Sequence, residues 1–292
     1  MRSYLALVRI DLKLALRNRS VLFFNYLFPL IFFFVFGGMM GGRQPGSMPY
    51  IVSMVLVLGI LGNGLFGAGM RAVQEREANI LRRFKVAPIS PAPILVASLI
   101  TGWVIYLPSV ILVLSLAHLV YRMPIPQNLI SLFGVVTLGV LTFRSLGLIL
   151  ASVANSMQES QILIQLFYMP MLFLSGATFP LALLPLWAKI TAQFLPASYL
   201  VTAFQGIFLR HESFFENRTA AAALVAALLL AFFISVQLFR WEKEEKIRPA
   251  AKLWVVAVLV PFIVLGVYQS HSGEFLNKAN ALYQQMQHSG RK

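Results

Sequence analysis

Seven apolar runs, separated by short stretches where polar and basic residues gather, set the pattern of this chain. They fall at about residues 21–41, 50–70, 94–117, 129–154, 161–177, 219–239 and 253–269. Within each run apolar residues follow one another without the alternation of barrel strands, which predicts helices. A helix needs roughly 20 residues to cross a bilayer, and the fifth and seventh runs are the shortest candidates. Backbone amides in hydrocarbon must be satisfied within their own segment, as a helix allows. The pattern therefore predicts an all-α, polytopic transmembrane protein with six core spans and a seventh near the C-terminus. Residues 1–240 form the membrane domain, and 241–292 form an extension holding the extra span at 253–269.

Composition agrees. The chain is 59% hydrophobic and 12% charged, whereas a soluble domain carries about a quarter charged residues. A formal net charge of +14 would by itself suit nucleic acid, but the charges sit between the apolar runs. Arg2, Arg9, Lys13, Arg17 and Arg19 precede the first run. Arg71, Arg76, Arg82, Arg83 and Lys85 follow the second, and Arg240, Lys243, Lys246, Arg248 and Lys252 follow the sixth. All three clusters share one side if the spans are right. The positive-inside rule then makes the N-terminus cytoplasmic; the expected location is a plasma membrane of the bacterial inner-membrane kind. A seventh crossing, the reading adopted, puts the tail outside. The alternative leaves it inside, with Leu253 to Tyr268, interrupted by Pro261, lying on the membrane. The first run is too long for a signal-peptide core and ends in Gly-Gly-Met-Met-Gly-Gly without a small-x-small cleavage pattern.

Cysteine is absent, and His118, His211, His271 and His288 form no metal-spaced pair. No GxxxxGK[ST] loop occurs, and acidic residues are nearly absent from the spans, which weakens proton coupling. No catalytic residue, cofactor ligand or metal ligand is expected. An energy source would be supplied in trans. An ion-driven secondary transporter would show midplane ion ligands in broken helices. A membrane-embedded enzyme would gather nucleophile, acid and base at one depth, and a scaffold is the remaining alternative.

Four segments are candidates for mechanism. Residues 1–20 place Leu5, Val8, Leu12 and Leu16 on one helical face and Arg2, Arg9, Lys13 and Arg17 on the other, an interfacial helix acting as anchor or lever. Gln74 to Lys85 reads as a polar helix with Val73, Ile80 and Phe84 along a stripe, closed by Ala87-Pro88; Ser90-Pro91 then starts the third span. Held between two crossings, such a helix transmits force or is simply a solvated loop. The connection at 178–218 is long and apolar, and Pro180, Pro185 and Pro196 divide it into short helices dipping into the outer leaflet, with Trp187, Tyr199 and Phe204 suited to that interface. Inside the spans, Asn25, Asn63 and Arg144 are candidates for a translocation path or, for the asparagines, interhelical glue. Arg144 either snorkels, bonds backbone carbonyls or meets cargo. Gly59, Gly62, Gly64, Gly67 and Gly69 give the second span small faces for packing within the subunit or across a dimer.

Over residues 1–240 the chain resembles the membrane subunits of ATP-binding-cassette exporters of the type-two permease class, which handle drugs, polysaccharides and related cargo. Glu75-Arg76-Glu77, Leu81-Arg82-Arg83, Ala87-Pro88-Ile89-Ser90, Ser175-Gly176-Ala177-Thr178-Phe179-Pro180, Leu184-Pro185-Leu186-Trp187 and Leu195-Pro196-Ala197-Ser198-Tyr199 carry the resemblance together. It implies six core spans, an interfacial helix and a coupling helix over Glu75, Arg76, Glu77, Ile80, Leu81, Arg82, Arg83 and Phe84 that docks on a separate ATPase subunit. It also implies an outer re-entrant pair with Phe179, Pro180, Pro185, Trp187, Pro196 and Tyr199 capping the export path. Such permeases pair as homo- or heterodimers around two ATPase subunits, which hold ATP and Mg, and work by alternating access. Small amphiphiles or drugs are the expected cargo. The seventh run departs from the six-span pattern.

Overall fold

The computed structural model describes residues 2–40, 47–85, 90–214, 216–242, 244–245, 253–273, 275–277, 280–281 and 284. Every regular element among them is a helix. Helix α1 (Arg2–Ala15) is followed by a turn, a short helix Arg19–Leu22, a π-helical stretch Phe23–Leu27 and α2 (Phe28–Met40). Helix α3 (Ser47–Glu77) contains a second π stretch, Gly62–Met70. Then come α4 (Ile80–Lys85), α5 (Pro91–Tyr121), α6 (Leu129–Val153), α7 (Met157–Leu174), α8 (Leu186–Ala192), α9 (Pro196–Arg210), α10 (Arg218–Gln237), α11 (Leu253–Ala257) and α12 (Val260–Ser272).

Among the described residues, α3, α5, α6 and α10 are long and apolar enough to cross a membrane, and α8 with α9 forms one further candidate bent by 90°. The expected spans at 21–41, 161–177 and 253–269 correspond to shorter or more polar helices. The first is an apolar helix over Asn25–Met40, about 24 Å long. Helix α7 carries Gln158, Glu159, Gln161 and Gln165 in its first half. The last is divided into α11 and α12. Pro261, read from sequence as an interruption, sits in the first turn of α12, where its missing N–H costs nothing.

Helix α3 occupies the centre, with almost every residue from Ser47 to Leu61 buried. Its glycines pack within the subunit. A Cβ on Gly64 would fall 2.5 Å from the Phe143 carbonyl carbon, one on Gly147 2.2 Å from the Gly64 oxygen, and one on Gly59 2.6 Å from the Tyr106 hydroxyl. The backbones of α3 and α6 therefore touch where no side chain fits between them. Helix α1 lies along the first half of α5, and its Leu12 and Ala15 join a cluster with Val21 and Ile105. Leu16, expected on the same face, is exposed because α1 ends at Ala15. The side chain of Leu5 lies outside the described residues, as do Ala87, Pro88 and Ile89.

Candidate functional site

The connection between α3 and α5 is built differently from one polar helix over 74–85. Helix α3 runs on to Glu77 and stops because Asn79 adopts a left-handed backbone with φ of 55°, a conformation asparagine tolerates well. The chain then restarts as α4. Arg71 donates to Glu75 at 2.8 Å and pairs with Asp11 of α1. Arg76 is 3% exposed. Its guanidinium donates to the carbonyls of Ala151 at 2.9 Å and Ala154 at 2.6 Å, at the end of α6. A cation at a helix C-terminus satisfies carbonyls that lack helical partners and meets the negative end of the dipole.

Glu77 completes the joint from the other sign of charge. Its carboxylate accepts the Met157 N–H at 2.8 Å, at the start of α7. Ser156 caps the same helix by accepting from the Glu159 N–H at 3.1 Å, and the Glu159 carboxylate accepts from Asn155 at 2.8 Å. The Ser-x-x-Glu signal was present in the sequence. From beyond α10, Arg240 donates to Asn155 Oδ1 at 2.9 Å, to the Glu245 carbonyl at 2.8 Å, and to Ala154. No sequence signal distinguished Arg240 from its basic neighbours. Val73 packs with Ala151 and Ala154 underneath.

Glu75, Arg76 and Glu77 thus face inward, onto the protein's own helices. Leu81 is buried, whereas Ile80 is 39% exposed and the Arg82 side chain 61% exposed, with Glu242 at 3.8 Å. The side chains of Arg83 and Phe84, also expected here, lie outside the described residues.

The three intramembrane polar residues meet in one buried network. Arg144 donates to Asn63 Oδ1 at 3.0 Å, to the Asn63 carbonyl at 3.3 Å and to Ser98 Oγ at 3.0 Å. Asn63 donates to Asn25 Oδ1 and to the Gly102 carbonyl, and Asn25 donates to the Val21 carbonyl at 2.7 Å. Both asparagines lie in π stretches, which are a frequent feature of functional sites. Gly102 makes room for the cation: a Cβ there would fall 2.0 Å from Arg144 Cζ. The two terminal nitrogens of Arg144 are met by a backbone carbonyl, an amide oxygen and a hydroxyl, while its buried Nε has no partner among the described residues. Beside it, a largely apolar cavity of about 90 Å³ opens between α1, the end of α3 and α5, with Asp11, Arg71, Glu75 and Ser98 among its lining residues.

At the opposite end of α3, Tyr50 donates to the Gly176 carbonyl at 3.2 Å. Gly176 turns the chain with φ of +86°, and Thr178 donates back to Leu172 at 2.8 Å. Pro180 precedes a single tight turn, Pro185 precedes α8, and Pro196 opens α9. The Tyr199 hydroxyl donates to the Gln193 carbonyl at 2.8 Å and closes the α8–α9 corner. Phe179 and Trp187 are exposed; Tyr199 and Phe204, expected at the interface, are core residues instead, at 1% and 0% exposure.

Residues 2–209 match the family model described as ABC-2 type transporter. The chain is 20% identical over 166 residues to "Probable multidrug ABC transporter permease YbhR" of Escherichia coli strain K12, covering 57% of this chain and 44% of that protein. It is 33% identical over 113 residues to "Nodulation protein J" of Rhizobium leguminosarum bv. trifolii, covering 39% and 43%. With "Inner membrane transport permease YhhJ" of E. coli K12 it shares 25% over 170 residues, covering 58% and 44%. The chain spans less than half the length of these curated relatives.

Proposed function

The chain belongs to the ABC-2 type transporter family, and from that premise we propose that it forms the translocation path of an ATP-driven exporter coupled to a separate ATP-binding-cassette ATPase. It is an integral membrane subunit of the permease kind. The ATPase partner holds ATP and Mg, and two permease chains, identical or not, complete the path. The N-terminus is cytoplasmic and the membrane is a bacterial inner membrane.

One observation supports the coupling most directly. The connection after α3 splits its residues into an outward pair, Ile80 and Arg82, and an inward set, Arg76 and Glu77, bonded to the ends of α6 and α7. A partner that grips α4 through the outward pair pulls on α6 and α7 through the inward set. Transmission therefore needs no contact between the partner and the spans. The multidrug name of the relative YbhR supports an amphiphilic or drug-like cargo. The Asn25–Asn63–Arg144 network ties four helices together.

Purification from native membrane tests this reading. A stoichiometric P-loop ATPase should accompany the chain, and consistent absence of one overturns it. Arg82→Ala should keep the fold while reducing ATP-dependent transport about tenfold, as expected for losing a central interfacial arginine. Unchanged transport and ATPase stimulation would remove Arg82 from the contact.

A further inference from the structure

We propose that the C-terminal segment, Leu253 to Leu276, crosses the membrane as a seventh pass and latches the outer hairpin, which moves only when that latch slips. The latch rests on reading Phe179–Tyr199 as the outer cap of the export path; the crossing does not.

The chain leaves the basic end of the bundle at Arg240 to Glu245, beside Asn155. By Val258 and Leu259 it lines a small cavity with Leu65 and Phe167, near the middle of α3 and α7, and with Leu146, Ile149 and Leu150 in the last third of α6. Helix α12 then rises about 20 Å over its 13 residues. Phe262 is wholly buried, with its ring 5.5 Å from that of Tyr199. One turn on, Gly266 presses against the hairpin corner: a Cβ there would lie 2.5 Å from the Phe194 ring and 3.0 Å from the Gln193 carbonyl. Gly273, with φ of +66°, ends the helix, and Phe275, 4% exposed, enters a cluster with Leu181 and Ala192.

The segment thus begins near the coupling end and finishes on the hairpin, which α7 and Tyr50 place at the other end. Its remaining face, Val260, Ile263, Val264, Val267 and Tyr268, is exposed and mainly apolar. A helix apolar on both faces, one against protein and one open, fits a lipid-facing span. Phe262, Gly266 and Phe275 engage both arms of the hairpin and its corner. Opening the hairpin must break at least one of these contacts.

The native chain lacks cysteine, so single cysteines report cleanly in the full chain in intact cells. Asn277→Cys should react with a membrane-impermeant maleimide added outside; reaction only after permeabilisation overturns the crossing. Ala192→Cys, buried with Phe275 in one cluster, should react slowly, and adding Phe275→Ala should speed its labelling at least about tenfold, a lower bound on what removal of a buried aromatic can release. Lys189→Cys, half-exposed on the same helix, should label equally with or without Phe275→Ala, which separates hairpin release from unfolding. Gly266→Ala, which displaces Phe194, is the second variant and should act in the same direction. Labelling of Ala192→Cys unchanged by both variants overturns the latch. No arm uses ATP, so these results stand apart from the fate of the export reading.

Discussion

Arg76 and Arg82 carry the same charge on the same connection, yet one is sealed against carbonyls and the other reaches out. Their removal should differ accordingly. Arg76→Ala strands the carbonyls at the end of α6 and should cost about 3 kcal/mol, the scale of two charge-assisted hydrogen bonds lost from a buried site. Thermal unfolding of the purified protein measures this, and Arg82→Ala should leave the same midpoint in place. Arg144 is a second case. A lysine cannot present the planar fork that reaches Asn63 and Ser98 together, so Arg144→Lys should cost about 2 kcal/mol. Gly102→Ala, whose new methyl collides with the guanidinium, should cost a similar ~2 kcal/mol. Because both act on one contact, the double variant should lose less than the sum of the two, and a double-mutant cycle reads the difference.

At the scale of elements, the contact between α3 and α6 depends on absent side chains. Gly64→Val forces a branched group into the Phe143 backbone and should cost at least ~3 kcal/mol. Gly38→Ala, with open space around it, should be neutral. Yield of folded protein in membranes and unfolding midpoints distinguish the two. The glycine-rich pattern showed that some helix would come close, but not which one, since small residues name no partner. The apolar runs were visible because lipid demands continuous hydrophobicity over a span. The break at Asn79 was hidden: it depends on one backbone angle within a polar stretch that could have remained helical. The π stretches were equally hidden, because an extra residue in a turn leaves composition unchanged.

Across the whole molecule, the motifs that marked the family also hold it together. Glu75, Arg76 and Glu77 were legible as a charged cluster, but sequence spacing alone could not show that they bond inward, because charge does not specify which way a side chain faces. Asn25, Asn63 and Arg144 were legible as costly groups in hydrocarbon. Their meeting place became evident only once four helices were in register. The two π stretches that bring the asparagines there have a mechanical consequence. Each is a dislocation in the hydrogen-bond ladder, one residue in surplus, and a dislocation can glide. When it passes a residue, that residue turns by roughly 100° about the helix axis while the helix on either side stays intact. At Asn63 such a glide would swing the amide out of reach of Arg144 without unwinding the helix.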